Sequence, residues 1–204
     1  VLTDQVPGAR SMALGDKGTL FVSTMREGKV YAVSGTDSQP EVLTIASDLY
    51  MPNGIAFKDG NLYVAEIHRV HKFEDIEDRL NAPKSKVINK SYPTDRHHGW
   101  RYITFGPDGK LYIPIGSPCN ICDEPDYGVI TRIDTDGSNK EVIAHGIRNT
   151  VGITFHPQTN DLWFTDNNKD MMGDDIPPGE LNRLSTEGEH FGFPFCHAND
   201  IPDD

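Results

Sequence analysis

Four short stretches of this chain carry side chains suited to acid–base and anion-binding chemistry: Arg10, Asn53, the pair His97-His98 and the pair Arg148-Asn149. Arginine offers a planar fork to a carboxylate, asparagine both donates and accepts, and histidine takes a proton near neutral pH. Gathered in one place they describe a pocket for an anionic, planar ligand beside a proton acceptor. Any one of them alone reads equally well as a solvated loop residue. A second concentration, Thr165–Asn182, holds five carboxylates and three side-chain amides in 18 residues. Oxygen ligands of this kind suit a hard cation, and the bland alternative is a solvated acidic loop. It is not an EF-hand. The spacing of Asp166, Asn168 and Asp170 fits, but the sixth loop position is Met171 and the twelfth is Pro177. Cys119 and Cys122 could form a local disulfide, half a metal site or a redox pair. A disulfide in an exported protein is the favoured reading, with Cys196 free or a competing partner. Asp123 stands where c-type haem attachment needs histidine, and no second CxxC exists for structural zinc. Nucleophile elbow, Walker loop, HExxH and dinucleotide fingerprint are all absent.

The elements that must position these residues repeat. Ser11–Ser23, Asn53–Ala65, Arg101–Ile113 and Gly152–Phe164 share one grammar: a short apolar run, a turn of Gly, Asp, Pro or Asn, then a run opening Leu-aromatic. Strand, tight turn, strand is the physical reading, because those turn residues adopt positive φ cheaply. The leucines fall at Leu20, Leu62, Leu111 and Leu162, spacings of 42, 49 and 51 residues, matching a four-stranded propeller blade. Further strands are expected at Lys29–Val33, Glu41–Ile45, Val129–Asp134 and Glu141–Ala144, a short helical insertion at Asp75–Asn81, and a long loop at Ser117–Tyr127. The fold class is therefore all-β: a β-propeller of four-stranded antiparallel blades, treated as a single domain over residues 1–204. Four units nearly consume the chain and the fourth lacks its outer strand, so an N-terminal portion of a larger propeller is preferred over a four-bladed ring or closure by oligomerisation. In a propeller the loops entering the innermost strands converge on one mouth. Arg10, Asn53, His97-His98 and Arg148-Asn149 each stand just ahead of an expected innermost strand.

With 204 residues the chain is long enough for a sizeable core. A net charge of −12 argues against nucleic acid and anionic membrane surfaces as partners. No apolar run is long enough to span a bilayer, and a leader peptide, had there been one, is expected to have been removed.

The ordered set His98–Gly116, Gly146–Pro157, Thr165–Asn182 and His190–Pro194 resembles the soluble pyrroloquinoline quinone (PQQ)-dependent sugar dehydrogenases, the glucose/sorbosone dehydrogenase family, nearest its sorbosone dehydrogenase-like branch. The resemblance runs from Val6-Pro-Gly-Ala-Arg10 to the C-terminus. It implies a six-bladed propeller, about four blades of it present here, and an exported, periplasmic or secreted oxidoreductase. Its substrate would be an aldose-type sugar, or a sorbosone-like aldehyde, and it would pass electrons to an external acceptor. By position, His98 matches the general base that takes the sugar C1 hydroxyl proton as hydride passes to PQQ. Arg148 matches the arginine beside the quinone carbonyl, and Asn149 its cofactor-contacting neighbour; Asn53 and His98 join this cofactor-binding set. The Asn168-Lys169 backbone matches the carbonyls that ligate the calcium bound to PQQ, and Glu180 with the Phe191 carbonyl matches a second, structural calcium. The aspartate that orients the catalytic histidine in the family's glucose enzymes is Ser117 here, with Asp95 or His97 as candidates to replace it. The cationic residues that grip the PQQ carboxylates belong to later blades. A non-catalytic propeller binding a ligand or partner is the main alternative. A calcium-dependent lactonase-type hydrolase ranks below it, because such a site needs several axial carboxylates or amides.

Overall fold

A computed structural model describes residues 2–35 and 40–203; residues 1, 36–39 and 204, among them both ends of the expected domain, lie outside the described set. The chain divides into two compact units, Val1–Tyr92 and Pro93–Asp204.

The first unit holds two four-stranded antiparallel sheets in chain order. One contains β1 (Ala9–Leu14), β2 (Leu20–Thr24), β3 (Val30–Ser34) and β4 (Glu41–Ala46); the other contains β5 (Gly54–Lys58), β6 (Asn61–Ala65), β7 (Val70–Phe73) and β8 (Ser85–Asn89). The β5–β6 hairpin shows why the repeated turn residues matter. Lys58 pairs with Asn61, leaving Asp59 and Gly60 as a two-residue turn with φ of 50° and 76°. Positive φ at both turn residues matches the right-handed twist of the flanking strands, and Asp-Gly adopts it with little strain. Alternate residues of the two sheets (Phe21, Val30, Ala32, Ile55, Leu62 and Phe73 among them) meet in one dry core. The expected helical insertion at 75–81 is a single 3₁₀ turn, Ile76–Asp78, with Ile76 buried in that core. Glu77 of this turn accepts the backbone N–H groups of Lys17 and Thr19 at 3.0–3.3 Å, so the insertion fastens the β1–β2 turn.

The second unit begins with β9 (Thr104–Phe105), β10 (Leu111–Ile115), β11 (Val129–Ile133) and β12 (Glu141–His145), then β13 (Ile153–Phe155), β14 (Leu162–Asp166) and β15 (Glu180–Leu184). The fourth sheet stops at three strands, as its sequence suggested. The chain then returns to the third sheet. There β16 (Glu189–His190) pairs in parallel with β12, adding a fifth strand that the antiparallel four-stranded scheme did not anticipate. A short hairpin follows, of β17 (Cys196–His197) and β18 (Ile201–Pro202). Tyr112, Ile130, Ile143, Ile153, Leu162 and Phe164 form this unit's core. Among the described residues there is no α-helix, and no helix is long and apolar enough to cross a membrane.

One positional expectation needs correcting. Arg10 is the second residue of β1 rather than a loop residue ahead of it, because β1 begins at Ala9 and passes an irregularity between Ala9 and Met12. Asn53 directly precedes β5, whereas His98 and Arg148-Asn149 lie in longer approaches to β9 and β13.

Candidate active site

Within the second unit, segments 93–101 and 146–149, the approaches to β9 and β13, and segments 116–122 and 166–170, at the ends of β10 and β14, are bonded into one cluster. His98 is half-buried with φ of 49°, a left-handed conformation uncommon for a side-chain-bearing residue and typical of strained functional positions. Its Nδ1 lies 2.9 Å from the Ser117 carbonyl. A carbonyl only accepts, so Nδ1 carries the hydrogen and the neutral ring presents Nε2 as the acceptor. Burial, reinforced by the neighbouring His97 and Arg148 charges, pulls the imidazole from its ordinary 6.5 down to about 4. The ring is therefore neutral at pH 7, with the Nε2 lone pair unprotonated. Buried Arg101 braces the backbone, donating to the carbonyls of His98 (3.4 Å) and Pro93 (3.3 Å).

The orienting group is thus the backbone of Ser117, in place of a carboxylate. Asp95, one candidate for that task, instead accepts the Tyr127 hydroxyl, and His97, the other, lies ring against ring with His98 at 4.0 Å. Ser117 also donates its N–H to the Arg148 carbonyl at 2.8 Å, so a single residue links His98 to Arg148. Gly116 makes the approach possible. A Cβ there would fall 2.6 Å from the His98 Cβ and 3.1 Å from the Asn149 Oδ1, so any side chain would push the histidine and the amide apart.

Arg148 is 1 % exposed. Its Nε donates to the Asn120 carbonyl (2.8 Å), Nη1 to the Asn167 carbonyl (2.9 Å), and Nη2 to Asn120 Oδ1 (2.7 Å) and Asp170 (2.8 Å). Four of the five guanidinium N–H groups are engaged among the described residues, leaving one on Nη1. Such an arginine offers a ligand one directed N–H and a fixed positive charge, not a bidentate clamp.

Sequence reasoning missed Asp166 as an anchor. At the end of β14 and 2 % exposed, it accepts the backbone N–H of Arg148 (3.0 Å) on one oxygen and that of Asn149 (2.6 Å) on the other. Burial pushes its carboxyl up to about 7, against the opposing pull of those two N–H groups. The signal was present as an acid closing a strand, but four further carboxylates in the same run masked it.

The proposed cation ligands lie close by in chain and space. Asn168, 9 % exposed, donates to the Pro178 carbonyl (2.7 Å) and to Glu180 (3.2 Å), and Glu180's other oxygen accepts from Asn182 (2.7 Å). Lys169 is ion-paired with Asp203. The backbone carbonyls of Asn168 and Lys169 accept no hydrogen bond among the described residues, which fits oxygens reserved for a hard cation. Glu180 and Phe191 line one cavity of about 400 Å³ with Asn182 and His197. Among the described residues no three His, Cys, Asp or Glu side chains cluster as a metal centre. Cys119 and Cys122 form a disulfide, and Cys196 is free.

In the first unit, Arg10 Nε donates to Asn53 Oδ1 at 3.1 Å, and the carbonyl of buried Asn53 accepts the Ser23 hydroxyl at 2.6 Å. A second charged cluster lies at the β6–β7 turn. Glu66, 1 % exposed, is gripped by Arg69 (2.6 and 3.1 Å) and faces His71 (3.3 Å). Burial alone would raise its pKa, but hydrogen bonds from His71 and Arg69 outweigh it and hold the carboxyl at about 2.

Repeated antiparallel sheets define a β-propeller protein, and in its second unit a neutral histidine is bonded through one residue to a buried arginine. The family model described as "Glucose / Sorbosone dehydrogenase" matches residues 5–201. The chain belongs to that family. It is 31 % identical over 208 residues to an uncharacterized protein of Borreliella burgdorferi, covering 95 % of this chain and 53 % of that one. The chain thus spans about half the length of the curated relative it matches. Among solved structures it is similar to a Trichoderma reesei carbohydrate-active enzyme of family AA12 (TM-score 0.82, 18 % identity, 100 % of this chain and 60 % of that one). It is also similar to the holo form of the pyranose dehydrogenase PQQ domain from Coprinopsis cinerea (TM-score 0.79, 15 % identity, 99 % of this chain and 59 % of that one). At these identities the likeness shows the fold, a β-propeller.

Proposed function

We propose that this chain is part of a PQQ- and calcium-dependent dehydrogenase that oxidises an aldose-type sugar or a sorbosone-like aldehyde, its four sheets being four blades of a larger propeller. The observation that carries this reading is the His98 imidazole. It is held by Nδ1 on the Ser117 carbonyl, neutral at pH 7, with Nε2 left to accept a proton, and joined through Ser117 to a buried arginine.

His98 takes, at Nε2, the hydroxyl proton of the carbon that gives up hydride, the C1 hydroxyl of an aldose or one hydroxyl of a hydrated aldehyde. PQQ, when bound, would supply the two-electron acceptor, and a calcium ion held beside it would strengthen that acceptor as a Lewis acid. Arg148 directs its remaining Nη1–H and its charge to where negative charge develops, and its other donors keep it from turning away. Asn149 would add a cofactor contact beside it. The Asn168 and Lys169 carbonyls would hold the calcium, while Glu180 and the Phe191 carbonyl would hold a second, structural one. The Cys119–Cys122 disulfide suits a periplasmic or secreted protein. Electrons would leave to an external acceptor.

Titrating PQQ and calcium into the protein and following absorbance, then adding an aldose, tests the reading. Quinone binding and reduction are expected. His98→Ala should lower dye-linked sugar oxidation about 10²–10⁴-fold while PQQ affinity stays near wild type. Equal loss of both would refute the base assignment. Tight calcium binding without PQQ would point to the hydrolase reading, and neither response to a binding module.

A further inference from the structure

The loop closed by the disulfide does more than bridge β10 and β11. Asn120, inside the ring that Cys119 and Cys122 close, makes four polar contacts, all to groups of the candidate site. Its carbonyl accepts Arg148 Nε at 2.8 Å, and its Oδ1 accepts both Arg148 Nη2 (2.7 Å) and the Asp170 backbone N–H (2.9 Å). Its Nδ2 donates to the Asp170 carbonyl at 3.1 Å. The Asp170 carboxylate meets the same Nη2, closing a ring of bonds between Asn120, Arg148 and the turn that carries Asn168 and Lys169. At the loop's start Ser117 Oγ donates to the Cys122 carbonyl at 3.1 Å, and the Ser117 carbonyl holds His98. A four-residue disulfide ring has little conformational freedom, and a side-chain amide mounted on it is preorganised.

We propose that Asn120, held in place by the Cys119–Cys122 disulfide, is a positioning residue that sets the direction of the Arg148 guanidinium and fixes the 168–170 turn to it. Its consequence for catalysis rests on the function proposed above; its effect on Arg148 does not. Asn120 and its neighbours are half-buried at the surface, so the variants below should fold.

The test uses protein labelled with ¹⁵N-arginine, in which the Arg148 Nη2 hydrogens are assigned by their loss in Arg148→Lys. In the wild type those hydrogens are held by Asn120 Oδ1 and the Asp170 carboxylate and should exchange slowly. Asn120→Ala, and separately Cys119→Ser with Cys122→Ser, should each speed their exchange at least about tenfold and weaken PQQ binding about tenfold, with a cooperative unfolding transition retained. Asn120→Asp keeps the Oδ1 acceptor and should stay near the wild-type exchange rate. Wild-type exchange in Asn120→Ala would overturn the proposal, and wild-type exchange in the cysteine variant would overturn the disulfide's part in it. If the wild type takes up no PQQ, the functional reading fails and the exchange data alone decide this one. If PQQ binds but its affinity and the Arg148 exchange are the same in every variant, the functional reading stands and this inference falls.

Discussion

The two units each bury a perturbed charged cluster, and the clusters differ in reach. Glu66, Arg69 and His71 lie within six residues around one hairpin, and the buried carboxylate is answered on the spot by its own turn. In the second unit His98, Ser117, Asn120, Arg148, Asp166 and Asp170 come from four separated segments. That network satisfies nearly everything inside it yet leaves His98 Nε2 and one N–H of Arg148 uncommitted. A shifted pKa alone does not mark a site: Glu66 sits at about 2 and His98 at about 4, but the atom left over in the first cluster, His71 Nδ1, is buried, whereas His98 is half-buried. A local pair stabilises a turn, whereas a cluster assembled from distant loops can hold a reactive geometry.

The sharpest way to break this contrast is to disable one member of each cluster. The His98→Ala loss of about 10²–10⁴ in oxidation should have no counterpart in Glu66→Gln. That change should lower unfolding free energy by about 1–3 kcal/mol, read by urea denaturation, and leave turnover per folded molecule as it was. A turnover loss in Glu66→Gln comparable to His98→Ala would erase the distinction. Next in size is pH. With His98 neutral down to about 4, the acid limb of kcat/KM should lie near pH 4 rather than near the ordinary 6.5. The sign for stability follows from the same shift. Between about pH 4 and 6.5 the unfolded chain binds the proton that folded His98 refuses, so stability falls as pH drops through that window, and His98→Gln should flatten the slope. An acid limb at 6.5 would mean that the ring is neither buried nor held as described. The smallest effect belongs to Asp166→Asn. An amide has one acceptor oxygen where the Arg148 and Asn149 N–H groups need two, so about 1–3 kcal/mol should be lost. PQQ affinity should fall with it; an unchanged thermal midpoint and affinity would remove Asp166 from the network.

The repeat made the fold legible. Leu20, Leu62, Leu111 and Leu162 mark the second strand of each sheet, since a period-two pattern and a tight turn are local properties of the chain. What stayed hidden needed distant partners. The parallel seating of Glu189-His190 on β12 has no signature in two residues, and β1 began earlier than its apolar run because Ala9 could pair with Thr24. At the site, residue types pointed to His98, Arg148 and Asn149, and family resemblance supplied their expected roles. The group that orients His98 could not be read off, because it is a backbone carbonyl and every residue has one. Asp166 and Asn120 escaped for a related reason: both act on backbone or on another side chain, and neither matches a motif.

The return of the chain to β12 has a mechanical consequence for the second unit. Parallel strands must be joined by a crossover, and here the crossover between β12 and β16 is the fourth sheet itself. The fourth sheet is thereby held to the third at both of its chain ends, by the segment carrying Arg148 and by the pairing of Ala144 and His145 with Glu189 and His190.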